Sequence, residues 1–217
     1  MHRNRCLSLL GLSIFACSIL AASTSHATSI GFNVSLDTSP LIGSSAGPFY
    51  IDFQLNDGSG VGDANNTVMI NSFLFGGGNA VGSPVLTIGG ASGNLLSSVS
   101  ITDSAFLNEF AQQFDPGSTL RFHVNLTTNV DAGLTPDAFS FSILDHTLAP
   151  LPTTGLGDAL LLVNINSSKP LIEAFSTTDG TNIQPIVTIP ETGPSIVMLL
   201  IGLGAIWCLR RRFVHLA

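Results

Sequence analysis

Apolar and polar residues alternate with a period of two through most of the middle of the chain. In FYIDFQL, Phe49, Ile51, Phe53 and Leu55 fall on one side of an extended segment, and Tyr50, Asp52 and Gln54 on the other. LRFHVNLT sets Leu120, Phe122, Val124 and Leu126 against Arg121, His123, Asn125 and Thr127, and DAFSFSILD repeats the pattern with Phe139, Phe141 and Ile143. Each predicts a strand with one buried face. SVSIT (98–102), LLVNIN (161–166), LIEAFS (171–176) and IQPIVTI (183–189) read as further strands, bounded by Gly, Pro, Asn and Asp clusters. AFLNEFAQQF (105–114) fits two periods, because Phe106, Phe110 and Phe114 recur every four residues as on a helix and also share one face of a strand. The all-β surroundings favour the strand. Strands at this spacing predict an all-β domain, an antiparallel β-sandwich of jelly-roll type.

The two ends of the chain break the pattern. MHRNR is basic, CLSLLGLSIFACSILAA is apolar, and STSHA places small residues Ser25 and Ala27 before a cut, so residues 1–27 read as a secretory signal peptide cleaved after Ala27. Acylation of Cys17, the lipoprotein alternative, fits less well, since IFAC lacks a leucine three residues ahead of the cysteine. At the other end, Pro194 to Leu209 is an uncharged run of sixteen residues followed by Arg210, Arg211 and Arg212. A helix of that length spans roughly 24 Å against a hydrocarbon core of about 30 Å, so it crosses only if the arginines snorkel to headgroups. The positive-inside rule then holds the C-terminus in the cytoplasm and puts the rest of the chain outside.

This division leaves residues 28–189 as one exported domain, long enough to bury about two-thirds of its surface. Its stability rests on the core, because Cys6, Cys17 and Cys208 all lie outside it and neither a disulfide nor a thiolate metal site can form within it. Its fixed cations are Arg121 and Lys169, against thirteen carboxylates, a net charge of −11. Such a surface repels nucleic acid and anionic lipid and attracts divalent cations.

Candidate chemistry within the domain is sparse. GSSAG (43–47) matches the G-x-S-x-G nucleophile motif at Ser45, but that motif needs a strand-to-helix turn, and Pro48 and the FYIDF strand follow it instead. His123 and His146 have no second histidine at ligand spacing. NDGSGVGDANN offers Asp57, Asp63 and Asn65 as oxygen ligands for Ca²⁺, without the EF-hand spacing or its terminal glutamate; an ordinary Asn, Asp and Gly turn accounts for the same residues. The expectation is therefore a non-enzymatic domain with no cofactor and no metal, Asp57, Asp63 and Asn65 being its weak calcium candidates.

The tail gives the domain an address. Pro190 and Glu191, followed at once by the short apolar segment SIVMLLIGLGAIWCL and Arg210 to Arg212, resemble the PEP-CTERM sorting signal, with Thr192 where that family usually has a second proline. The resemblance implies recognition and cleavage by an integral-membrane exosortase in a bacterium that makes extracellular polysaccharide. FYIDFQLNDGSG, NNTVMINSFLFGGG, FAQQFDPGSTLRF and TPDAFSFSILD also resemble one family of proteins carrying this signal, to which no activity attaches. A second address stays open, since IPETG (189–193) differs from the LPxTG signal of Gram-positive sortases by Ile189. Sortase substrates place a long stalk before the motif, whereas here IQPIVTI runs directly into Pro190, which favours the exosortase. Residues 190–217 are thus expected to be a sorting signal that anchors the protein transiently in the inner membrane before it reaches the cell surface or the medium. The role this implies is a structural or adhesive component associated with exopolysaccharide; the alternative is a carbohydrate-binding module.

Overall fold

The computed structural model describes residues 28–190 apart from 60 and 134. Across them the chain forms thirteen strands in two antiparallel sheets, with short 3₁₀ turns at Ser39–Leu41 and Leu156–Asp158. The strands are β1 (Ser29–Asp37), β2 (Phe49–Asn56), β3 (Thr67–Leu74), β4 (Asn79–Ala80), β5 (Leu86–Ile88), β6 (Gly90–Gly93) and β7 (Ser98–Thr102). They continue with β8 (Leu107–Asp115), β9 (Thr119–Thr127), β10 (Asp137–Leu144), β11 (Leu161–Ile165), β12 (Ile172–Ala174) and β13 (Ile186–Thr188). One sheet has the order β13-β1-β9-β3-β7-β6, the other β12-β11-β10-β2-β8-β4, with β5 pairing β8 off the main path. The domain is all-β, with the two-sheet build of a β-sandwich.

Residues spaced two apart supply the core. Phe49, Ile51, Phe53 and Leu55 of β2 and Phe139, Phe141 and Ile143 of β10 face Leu120, Phe122, Val124 and Leu126 of β9 across the gap, all of them buried. The Phe122 ring meets Phe53 and Phe141 edge-on, with centroids 5.3 and 5.1 Å away, so a residue of one sheet is wedged between two of the other. Interdigitation of this kind fixes the spacing of the sheets by shape, not only by burial.

Several strands differ from their sequence outlines. β1 was not among the expected strands, yet its buried Phe32, Val34 and Leu36 alternate cleanly and all nine of its residues pair with β9. β3 carries a register shift between Asn71 and Leu74, with Ser72 at a φ of 59°. That bulge moves the inward phase from Val68 and Ile70 to Phe73, whose ring packs 6.0 Å from Phe122. The ambiguous segment is a strand, β8, but Phe106 lies ahead of it and is 65 % exposed, so only Phe110 and Phe114 of the expected trio reach the core. On the same face stand Asn108, ahead of Phe110, and Gln112, between the two rings, both fully buried. Asn108 donates to the carbonyls of Leu55 (2.9 Å) and Ala105 (2.6 Å) and accepts from the amides of Gly90 (2.9 Å) and Ala105 (3.1 Å), so its amide staples a loop instead of leaving an unpaired group.

The signal-peptide boundary at Ala27 and the segment bearing Glu191, Thr192 and Arg210 to Arg212 lie outside the described residues. Among the described residues no helix is long and apolar enough to cross a membrane.

Candidate functional site

The register of the second sheet brings two carboxylates face to face. Asn56 of β2 pairs with Ala138 of β10, so the next residues outward, Asp57 and Asp137, stand opposite one another at the end of the strands. Both continue the inward rows, Phe49 to Leu55 and Ile143 to Phe139, and both are buried. Two acids therefore close the hydrophobic core at this end.

Two loops complete the cluster, one joining β2 to β3 and the other β9 to β10. They pack without space between them: a Cβ added at Gly58 would lie 2.2 Å from the Thr135 carbonyl oxygen. The Ser59 hydroxyl donates to that carbonyl (3.0 Å) and accepts from the Thr135 amide (2.9 Å). Asn66, fully buried, is the hub. Its side-chain nitrogen donates to Asp137 Oδ2 (2.7 Å) and the Asn129 carbonyl (2.8 Å), its Oδ1 accepts from the Asn129 amide (2.9 Å), and its own amide donates to Asp103 Oδ2 (2.9 Å). The Gly58 amide donates to Asp137 Oδ1 (2.8 Å), the Gly62 amide to Asp57 Oδ2, and Asn65 Nδ2 to Asp131 Oδ1 and Asp63 Oδ2.

What remains is an excess of unbalanced negative charge. Asp57, Asp131 and Asp137 each place a carboxylate oxygen within 4.8 Å of the other two. Burial pushes the Asp57 and Asp131 carboxyls above the usual range, and the neighbouring Asp137 and Asp63 charges push them further, against the Gly62 and Asn65 N–H donors that favour the charged forms. Burial likewise raises Asp103, to about 7. Among the described residues, no lysine or arginine is one of the groups that act on these acids.

The three weak calcium candidates, Asp57, Asp63 and Asn65, are only partly brought together. Asp57 is in the cluster and Asp63 within Coulombic reach, while Asn65 serves as a hydrogen-bond donor to Asp63 and Asp131. Asp131 and Asp137, absent from the sequence reading, complete the set. The sequence signal for Asp137 was its phase: like Asp57, it extends a row of core-facing residues by one more step.

Elsewhere the chemistry stays sparse among the described residues. Ser45 is exposed in a loop that leads into strand β2, not a helix, and the nearby His146 has its Nδ1 on the Ala46 carbonyl (3.1 Å). His123 points outward, bonded to Asn33 Oδ1 (3.0 Å), and with Ser35, Arg121 and Leu74 it lines an open groove of about 440 Å³ on the outer face of the first sheet. No family model, curated protein or solved structure matches the chain.

Proposed function

We propose that the protein is an exported, non-enzymatic β-sandwich of jelly-roll type, delivered to the cell surface or medium by an exosortase and serving there as a structural or adhesive component associated with exopolysaccharide. The observation that carries the reading is where the chain leaves the domain. β13 pairs with β1 through Asn33–Thr188, Val34–Val187 and Ser35–Ile186, so it runs back toward the start of β1 and releases Pro190 only two residues after its last pair. Ser29, Ile30, Ile189 and Pro190 line one shallow hollow, so the start of β1 and Pro190 share one end of the sandwich. A folded domain that close to the motif has no stalk with which to thread a thick wall. That favours cleavage at the membrane over the LPxTG-type alternative.

In this reading Pro190, Glu191 and Thr192 are the segment the protease recognises ahead of the apolar run, and Arg210 to Arg212 fix the direction of insertion. Replacing Glu191 with Ala in a host that has an exosortase should leave the domain folded and accumulate a membrane-bound precursor. Normal release of Glu191→Ala, with the same kinetics as wild type, would overturn the assignment of the motif.

The carbohydrate-binding alternative draws on the outer groove. Arg121, His123, Asn33 and Ser35 are hydrogen-bonding groups suited to sugar hydroxyls, but Phe122 beneath them is buried and no aromatic platform faces the groove. A glycan array separates the two: binding that is lost in Arg121→Ala establishes the module, and a blank array favours the structural role.

A further inference from the structure

Two oxygens in the acidic cluster have no partner among the described residues. Among the described residues, Asp57 Oδ1 and Asp131 Oδ2 are buried from solvent and accept no hydrogen bond, while the other oxygens of Asp57, Asp131 and Asp137 are engaged. Asp57 as a whole is 1 % exposed. Buried polar atoms in native proteins are nearly always paired, and a carboxylate left without a donor or a counter-charge is far more costly than a neutral group. Both free oxygens belong to the three carboxylates whose ligand atoms lie within 4.8 Å of one another. We infer that Asp57, Asp131 and Asp137 form a calcium site that clamps the β2–β3 and β9–β10 loops together.

The choice of ion follows from the donors. All are carboxylate oxygens, with no imidazole or thiolate among them, which suits a hard cation and not zinc or copper. Calcium binds oxygens at about 2.3–2.6 Å, so oxygens around it are separated by at most about 5 Å, and the three carboxylates meet that limit. Magnesium, at about 2.0–2.1 Å, demands a tighter octahedron and retains its waters reluctantly exchanged. A hollow lined by Ser59, Asp63, Asp131, Ala132 and Gly133 adjoins the cluster on its Asp131 side. Water and the Asp63 carboxylate can fill the remaining positions from there.

The consequence is mechanical. Both loops cross from one sheet to the other, and they meet at the end of the sandwich from which Pro190 departs. A cation there replaces repulsion between acids with a tie between the sheets. This inference does not depend on the sorting reading, since it concerns the folded domain alone.

The test uses the full-length chain in detergent, stripped with a chelator and titrated calorimetrically with CaCl₂ or MgCl₂. The expected result is one Ca²⁺ per chain, bound at least about tenfold more tightly than Mg²⁺. Asp131→Asn and Asp57→Asn should each weaken binding at least about tenfold, while Asp179→Asn, in a distant turn, should not. In the wild type, Tb³⁺ in place of Ca²⁺ should broaden the amide resonances of Gly58, Gly62 and Asn66 and spare those of Thr147 and Asp179. This localises the ion even where a substituted chain does not fold. Absence of Ca²⁺ uptake up to about 10 mM, above the range of weak extracellular modules, overturns the site. So does binding that survives both substitutions, or broadening centred outside the two loops.

Discussion

A buried acid on the opposite face of the second sheet makes a sharp prediction about pH. Asp52 points away from the core, yet is 2 % exposed, and only Gln54 Nε2 (3.0 Å) donates to it, leaving Oδ1 without a partner. Burial raises its pKa to about 8, with the nearby Glu109 charge pushing the same way. The unfolded chain loses this proton near pH 3.9, so between there and about pH 8 the folded state holds one more proton than the unfolded state, and stability falls as pH rises. The contribution is fully present below the unfolded pKa and is lost progressively up to the folded one. Each pH unit in that window is worth at most about 1.4 kcal/mol, a ceiling of about 4 kcal/mol at pH 7 that relaxation and water entry reduce. Asp52→Asn keeps the shape and the neutral state at every pH. Urea denaturation followed by circular dichroism, at pH 4.5 and 7.5 and constant saturating calcium, should show variant and wild type within about 1 kcal/mol at the lower pH. At pH 7.5 the variant should be about 1–3 kcal/mol more stable. A variant less stable than wild type at pH 7.5, or a difference independent of pH, would refute the assignment of a protonated Asp52.

Other consequences follow from the packing. Phe122→Ala removes the ring wedged between Phe53 and Phe141 and should cost about 3–5 kcal/mol in urea unfolding; a loss under about 1 kcal/mol would mean the sheets do not interdigitate there. Asn108→Ala strands the Leu55 carbonyl and the Gly90 amide and should cost about 2–3 kcal/mol, more than Asn→Ala at exposed Asn79, by the same assay. Since residues 28–189 hold no cysteine, reductant should change neither the melting temperature nor the gel mobility of the released protein, and any shift would show that the processing sites lie elsewhere.

The strands whose two faces differ most in polarity were the ones legible beforehand. β2, β9 and β10 turn their aromatic and branched rows to the core and polar ones to the other face, so the period of two is plain in the residues themselves. β8 was ambiguous because its inward row is Asn108, Phe110, Gln112 and Phe114, and the two buried amides, satisfied only by distant loops, mask the alternation. β3 was obscured by its bulge, which changes phase in mid-strand. The acidic cluster was half legible for a different reason. Asp57 sits in a conspicuous Asp- and Gly-rich loop, but its neighbours Asp131 and Asp137 come from the β9–β10 loop and the first position of β10, far along the chain, and only the pairing of β2 with β10 makes them adjacent. No local pattern encodes a contact of that range.

The claim that this domain is released by cleavage beside its last strand rests on the two residues that separate Thr188 from Glu191. Intact-mass spectrometry of the protein recovered from the medium or cell surface tests it most directly, with Trp207 as an independent marker because it is the only tryptophan in the chain. The account predicts a species that begins near Thr28, ends near residue 190 and lacks tryptophan absorbance. A protein that retains Trp207 and Arg210 to Arg212 in every fraction would contradict it.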